Sequence, residues 1–447
     1  MRSRWLVAGL VAGASTAGTA GVVVGQDLPP GVELSTRYTT SNPLLSVRPL
    51  GGPAAGEAAE VGRILENDLR LSDRFELLAA PVQLASGAVD YAQWNALRVV
   101  YVVAGEVESN PSGLTLALTV HDVVRGRQLD GGRFNLPGRD APDFRMAVHA
   151  VSDEVVRWVT GQPGIAATQV AFTRQRGGGA YDLMLVDSDG ENLRRILGSD
   201  GQVYSPAWSP DGRKLAFTMK REDGSWGLVE RDMASGRTTT LHAGSMMQTP
   251  AYSPDAGTVV FAMFVDGRPY GTHLFRMPAS AGARPERLTS GGSDNLYPSF
   301  SPDGRRLVFQ SNRTGRQHIY TMDAGGGAIS ILTPVGERVE YAAPDWSPTG
   351  SQVVFHGQSR SAFQLMLGDA ARAGGTIRQL TTTARNEDPS FAPDGRHLVY
   401  TGVGGQGDGL YVIDTVTGQR RQLARGEKLR MAGWSPPLMR ATRTSGQ

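Results

Sequence analysis

Trp208-Ser-Pro-Asp-Gly-Arg-Lys-Leu-Ala-Phe217 sets an aromatic residue, a tight-turn tetrad and an apolar strand within ten residues, and the chain repeats that unit. Its equivalents are Tyr252-Ser-Pro-Asp-Ala-Gly-Thr-Val-Val-Phe261, Phe300-Ser-Pro-Asp-Gly-Arg-Arg-Leu-Val-Phe309, Trp346-Ser-Pro-Thr-Gly-Ser-Gln-Val-Val-Phe355 and Phe391-Ala-Pro-Asp-Gly-Arg-His-Leu-Val-Tyr400. A shortened sixth copy is Trp434-Ser-Pro-Pro. The aromatic positions lie 44, 48, 46, 45 and 43 residues apart, the period of a four-stranded propeller blade. In Ser-Pro-Asp-Gly the proline presets φ and the glycine accepts a left-handed conformation, so the chain reverses between two strands. A third strand follows each turn, such as Gly227-Leu-Val-Glu or Gly409-Leu-Tyr-Val-Ile, and a fourth ends in stretches such as Arg378-Gln-Leu-Thr.

The ends of the array say how it closes. Gln169-Val-Ala-Phe-Thr173 reads as a second strand with no first strand before it, and Leu429 to Trp434 as a first strand with nothing after it. Residues 165–447 therefore read as a six-bladed β-propeller whose last blade is shared between residues 168–197 and 428–436. Closure removes the open sheet edges that invite aggregation.

Residues 26–162 carry a different pattern. Val61, Ile64, Leu65 and Leu69 have helical spacing, as do Phe144, Val148, Val151, Val155 and Trp158. Strands are expected at Phe75-Glu-Leu-Leu, Val99–Val107, Leu114–Val124 and Gln128–Leu136, with a short helix around Tyr91–Leu97. This is a small α/β domain with a mixed sheet, led by a Pro-, Ser- and Thr-rich segment, 26–45, expected to be mobile. Before it, Arg2 and Arg4 followed by an uncharged small-residue stretch to Val24 read as a signal peptide, 1–25, with cleavage after Ala20 or Gly25. The competing reading is a membrane anchor, for which so much Gly, Ala and Thr is poorly suited. The mature chain is thus expected in the periplasm without membrane insertion.

Composition excludes several classes of function. There is no cysteine, which removes disulfides, thiolate metal sites, thiol nucleophiles and lipid attachment through cysteine. The 45 basic and 43 acidic residues are interspersed, with no like-charge block suited to nucleic acid. The stretch Gly402-Val-Gly-Gly-Gln-Gly407 fits a dinucleotide fingerprint but leads into another strand, so it reads as a hairpin loop. Asp211, Asp255, Asp303 and Asp394 recur one blade apart, too dispersed for paired acid–base work, and Thr349 replaces them in one copy. The seven histidines are scattered singly, without metal-site spacing, and no G-x-S-x-G occurs. No catalytic residue, metal or cofactor is expected; the alternative from another class is a propeller enzyme, a glycan lyase or hydrolase, acting in the central channel.

Binding surfaces remain. The segments ahead of the innermost strands, Met246-Met-Gln-Thr249, Asp294-Asn-Leu-Tyr297, Glu340-Tyr-Ala-Ala343 and Arg385-Asn-Glu-Asp388, differ from blade to blade although the Pro-x-aromatic frame after them repeats. Variable loops on a fixed scaffold suit a docking face, here for another protein.

The whole mature chain resembles the TolB family, the periplasmic components of the Tol-Pal system. Beyond the WD40-like (PD40) repeats, the resemblance rests on Asp68-Leu-Arg-Leu-Ser-Asp-Arg-Phe75, Ala92-Gln-Trp-Asn-Ala-Leu97, Val103-Ala-Gly-Glu-Val107, His149-Ala-Val-Ser-Asp-Glu-Val155 and Ala432-Gly-Trp-Ser-Pro436. It implies a monomeric, non-enzymatic adaptor for outer-membrane integrity and invagination during cell division. The channel mouth would receive the peptidoglycan-associated lipoprotein Pal through Met246, Thr249, Asp294, Asn295 and Tyr297, with Glu340, Tyr341, Asn386 and Glu387 beside them. Met246 and Tyr297 stand where the family often has His or Glu. The segment Val32-Glu-Leu-Ser-Thr-Arg-Tyr38 would be taken up by TolA of the inner membrane, with Val32, Leu34 and Tyr38 on one face of an added strand. Other outer-membrane lipoproteins stand as further candidate partners.

Overall fold

A computed structural model describes residues 42–444 and the backbone of the strand Val32–Leu34, apart from residues 199–201, 268–269, 336–338, 360–361, 372–374 and 405–406. The expected signal peptide and Tyr38 lie outside the described residues.

The amino-terminal domain is a five-stranded mixed sheet in the order Glu76–Leu77, Leu44–Val47, Tyr101–Asn110, Gly113–Asp122, Arg127–Leu136. The first two pairings are parallel and the others antiparallel. Helices α1 (Ala55–Leu71) and α3 (Phe144–Thr160) cover one face, burying Val61, Leu65, Val148, Val151 and Val155 against Leu116, Leu118 and Val120. The other face is half covered by α2 (Tyr91–Ala96), whose Trp94 is fully buried among Leu84, Val99, Val102 and Val123. Leu44–Val47 corrects the expected mobility of 26–45 at its end. Leu45 is fully buried and its strand lies between two others, so residues 44 and 45 belong to the core and not to the leading segment.

The propeller has six blades, at residues 202–244, 247–287, 295–331, 341–379, 385–425, and 429–434 with 169–197. The last closes the ring by antiparallel pairing of Leu429–Trp434 with Gln169–Gln175. Each second strand plants one large ring between sheets: Phe172, Phe217, Phe261, Phe309, Phe355 and Tyr400 are at most 2% exposed. Burial of each contributes roughly 1.5–3 kcal/mol, so this single repeated position stabilises the whole ring. The turn chemistry follows the sequence. Ser209 Oγ accepts from Lys214 N at 2.9 Å and donates to Asp211 at 2.6 Å, while Gly212 takes φ 70°. In the copy lacking Asp, Thr349 Oγ1 meets Ser347 Oγ at 2.8 Å and does the same work.

Two features were not legible in the repeat. The carboxyl-terminal tail runs back to the first domain, where Arg443 lies 4.9 Å over the Trp158 ring and Thr444 N donates to Arg133 O. At the other end, Val32–Leu34 adds a parallel fifth strand to Ile377–Gln379, the outer edge of the 341–379 blade.

Candidate functional site at the channel and the interdomain seam

Six residues, one per blade, carry positive φ inside the innermost strands: Ser205, Thr249, Tyr297, Ala343, Asp388 and Met431, all between 49° and 54°. In five of them a proline follows directly. The pairing of each inner strand with its neighbour slips at this point, so every blade bulges toward the axis. Non-glycine residues hold this left-handed conformation only where the surroundings over-determine it. Here the N–H groups released by the bulges are caught sideways. Tyr297 N donates to Thr249 Oγ1 at 3.0 Å, Met431 N to Asp388 Oδ2 at 3.3 Å, Ala343 N to Gln310 Oε1 at 3.1 Å and Asp388 N to His356 Nδ1 at 3.2 Å. Adjacent blades are thereby stitched at a waist in the channel.

On one side of the waist opens a cavity of about 460 Å³, walled by the later halves of the inner strands and the Ser-Pro turns. Asp345 is half-buried there, its carboxylate accepting from Ser299 Oγ at 2.9 Å and Phe391 N at 2.8 Å. Burial pushes the Asp345 and Asp388 carboxyls upward, the backbone donors opposing. Burial lowers His356 to about 4, so its ring is neutral at pH 7, and raises the Tyr297 phenol.

The opposite end, where the inner strands begin, is the face expected to dock a partner, and the structure places its residues unevenly. Met246 is 36% exposed. Thr249 and Tyr297 sit lower, inside strands and at the waist. Asp294 is half-buried and holds the Thr272 N–H at 2.9 Å; Asn295 is buried, bonded to the Thr272 and Ser293 carbonyls and to Arg313. Tyr341 is 1% exposed and packs edge-on against Phe355, so it is a core residue. Asn386 is buried against Gln364 and the Thr383 carbonyl. Glu340 is half-buried, 3.7 Å from Arg316. Glu387 has one oxygen 2.8 Å from Arg385 and the other 3.3 Å from Arg430. The segments expected as loops are mostly strand, because the repeating proline marks a mid-strand bulge and not the strand's start.

Residues the sequence reading passed over sit at the same end. Tyr181, Tyr204 and Trp226 form a half-buried aromatic ladder, with centroids 5.1 and 5.7 Å apart, bridging two blades. Across the ring, Arg313 lies over the Phe309 and Tyr320 rings and Arg385 over Phe363. The face is therefore aromatic on one arc and charged on the other. Glu387, Arg385, Arg430 and His356 do converge, yet both oxygens of Glu387 are held by guanidinium groups, and His356 Nδ1 accepts a backbone N–H. Such a network orients charge; it has no free base.

A second polar centre lies where the two domains meet. Asp68 of α1 accepts from Ser152 at 2.6 Å and pairs with His149 at 2.8 Å, both on α3. The other side of the His149 ring faces Asp189 of the propeller at 3.8 Å, and Arg145 binds Asp189 at 2.5 Å. Next to it, Asp73, two residues past the end of α1, takes φ 51° and presents its carbonyl to Arg396 at 2.7 Å. Its carboxylate lies 3.3 Å from His397, which pairs at 2.7 Å with Asp394, itself bound by Arg74. Burial works against charge on His397, but the Asp394 and Asp73 carboxylates raise it to about 9; His149 is raised for the same reason through Asp68 and Asp189. The Asp153 carboxylate accepts from the Ala166 and Ala167 N–H groups, and desolvation raises it to about 7. The sets Asp68, His149, Asp189 and Asp73, His397, Asp414 bring possible ligand atoms within 4.8 Å. In each, however, the histidine is flanked by carboxylates and an arginine, Arg145 or Arg396, already supplies the neutralising cation.

The chain matches the TolB amino-terminal domain over residues 36–129 and the TolB beta propeller domain over residues 156–438. It belongs to the TolB family. Among its relatives, the Tol-Pal system protein TolB of Bordetella parapertussis is 28% identical over 385 residues, 84% of each chain. The crystal structure of TolB from Acinetobacter baumannii superposes with a TM-score of 0.77 at 25% identity, covering 90% of this chain and 98% of that one. A hydrazine synthase of Kuenenia stuttgartiensis, at 15% identity and a TM-score of 0.52 over 63% of this chain and 48% of that one, shares the fold alone. The family's motif stretches quoted above, Asp68–Phe75 and His149–Val155, are the seam: they supply Asp68, Asp73, Arg74, His149, Ser152 and Asp153.

Proposed function

We propose that this member of the family is a non-enzymatic periplasmic adaptor of a Tol-Pal system. It docks a Pal-like lipoprotein on the end of the ring where the inner strands begin, and yields its leading segment to a TolA-like inner-membrane protein, in support of outer-membrane integrity and division. The observation that carries the reading is the two-sided chemistry of that end. Met246 and the Tyr181, Tyr204, Trp226 ladder offer apolar anchors, while Arg385, Glu387, Arg430 and the Arg316–Glu340 pair form a charged rim. Aromatic anchors beside a polar rim are the anatomy of a protein interface. The leading segment's ability to pair as a strand, as Val32–Leu34 does at a blade edge, supports its transfer to another sheet edge.

Calorimetric titration of a purified Pal-like domain tests the docking reading. Met246→Asp and Tyr204→Ala should each weaken binding at least about tenfold. Unaltered affinity in both would refute the site. Removing residues 26–41 should abolish binding of a TolA-like domain and leave the Pal-like titration intact.

A further inference from the structure

The half-open face of the amino-terminal sheet carries a groove of about 690 Å³, between the loop 85–89 and the strands Tyr101–Asn110 and Gly113–Asp122. That volume is within the range of small-molecule sites, about 300–1,000 Å³. The floor is made of residues too small to fill it, notably Ala104, Gly105 and Ala117, and Leu50, Ala88 and Val89 line its sides. Gly105 offers only backbone to that floor, since a Cβ on it would point to the opposite, core face, 2.6 Å from the Leu118 side chain.

Arg48 lines this groove and is 6% exposed. One terminal nitrogen donates to the Gly87 carbonyl at 3.0 Å, and its Nε is buried without a partner. Among the described residues it makes no ion pair, unlike the buried arginines of the interdomain seam. A buried guanidinium without a counter-ion is costly unless something negative comes to it. Beside it His121 cannot serve as that group: Nδ1 meets Tyr91 at 2.9 Å and Nε2 meets Thr119 at 3.1 Å, and burial with the nearby Arg48 charge lowers its pKa. The Ser86, Gly87 and Ala88 N–H groups, on the loop that Arg48 grips, donate to nothing among the described residues. Glu106 stands exposed on the same groove, which disfavours a doubly charged phosphate there.

We propose that this groove binds a singly charged carboxylate with a short aliphatic body, the free carboxyl end of a peptide finishing in small residues, with Arg48 as its charge partner. A forked guanidinium suits a carboxylate, and the alanine-lined floor suits methyl-sized side chains.

The test is titration of the full mature chain with N-acetyl-alanyl-alanine, its carboxyl amide, acetate and inorganic phosphate, followed by amide NMR shifts. The free acid should bind saturably and shift the 85–89 loop, and the amide should bind at least tenfold more weakly. Arg48→Gln should weaken the acid by tenfold or more. Ala88→Trp, at an exposed position, should block it by filling the groove even if Arg48→Gln perturbs the fold. Tighter binding of the dipeptide than of acetate would assign the site to a chain end; equal binding would assign it to small free carboxylates. Acid and amide binding alike, no saturable binding of the acid, phosphate binding more tightly than the acid, or an Ala88→Trp protein that binds unchanged would each overturn the proposal.

Discussion

The channel waist and the interdomain seam both hold buried polar groups, but they are built on different rules. At the waist one geometry is used six times, and the groups catching the bulged N–H bonds vary freely: a threonine hydroxyl, a glutamine amide, an imidazole, a carboxylate. At the seam nothing repeats. Asp68 and Asp394 each sit against a specific histidine, and an arginine from the opposite domain or a facing helix completes each group. A hydrogen bond to a backbone N–H has many chemical solutions, whereas a buried charge must meet its partner in place. The waist therefore tolerates substitution and the seam does not.

The largest effect should come from unpairing a charge at the seam. In Asp68→Ala the His149 ring loses the carboxylate at 2.8 Å and Ser152 loses its acceptor, inside a site where His149 is fully buried. Breaking a buried pair from one side costs about 3–5 kcal/mol. Chemical denaturation should show that loss, and hydrogen exchange should locate it in α1, α3 and the 187–191 turn. A loss under about 1 kcal/mol would mean that the seam is as forgiving as the waist.

Next in size is a dependence on pH confined to the seam. His397 faces Asp394, Asp73 and Asp414, with Arg396 and Arg74 on the same carboxylates, and is held near 9 against an ordinary 6.5. Its folded-state pKa is raised, so its contribution is complete below about pH 6.5 and fades as pH rises through about 9. A shift of that size corresponds to on the order of 3 kcal/mol. Asp153 acts in the same direction at lower pH: raised to about 7 from 3.8, its neutral form favours the fold, and that contribution is lost between those values as pH rises. Asp394, held below its ordinary value by His397 against the effect of burial, acts oppositely and is lost only on acidification below about 3.8. Unfolding free energy should thus fall between pH 6.5 and 9, and His397→Gln should flatten that stretch while lowering stability at pH 6. An unchanged slope in His397→Gln would place the titration elsewhere.

The same contrast explains what could be read in advance. Repetition is a signal within a single chain, so the blades, their turn tetrads and the closing blade were visible from the recurrence of Ser-Pro-Asp-Gly and its flanking strands. The Asp68 and His149 stretches carried family resemblance without showing why, since their propeller partners, Asp189 on one hand and Asp394 on the other, are joined to them only by folding. One departure did point there. In the fifth repeat Ala392 replaces the serine that elsewhere anchors Asp, and His397 begins the strand where other copies have Lys214, Thr258, Arg306 or Gln352. That is the turn whose Asp394 is bound by Arg74 of the first domain instead of by its own serine. At the docking end, Asn295, Tyr341 and Asn386 looked variable and polar enough for a partner. Their burial follows from the bulge, which puts the residues before each proline on the strand and leaves only alternate ones facing out.

The smallest effect should separate the waist from the surface above it. Thr249→Val keeps size and β-branching at φ 50° but removes the oxygen that accepts the Tyr297 N–H at 3.0 Å. Leaving one buried donor unpaired costs about 1–3 kcal/mol, and proximity to the channel, where water can replace the lost acceptor, argues for the low end. Met246→Asp, three residues earlier and exposed, touches no such bond and should change stability by less than about 0.5 kcal/mol. Measured together by denaturation and by titration with a Pal-like domain, the two should part company: Thr249→Val loses stability with little change in docking, and Met246→Asp loses docking with little change in stability. If Thr249→Val instead abolished docking at full stability, the waist itself would be the contact surface, with the partner reaching past the rim into the channel.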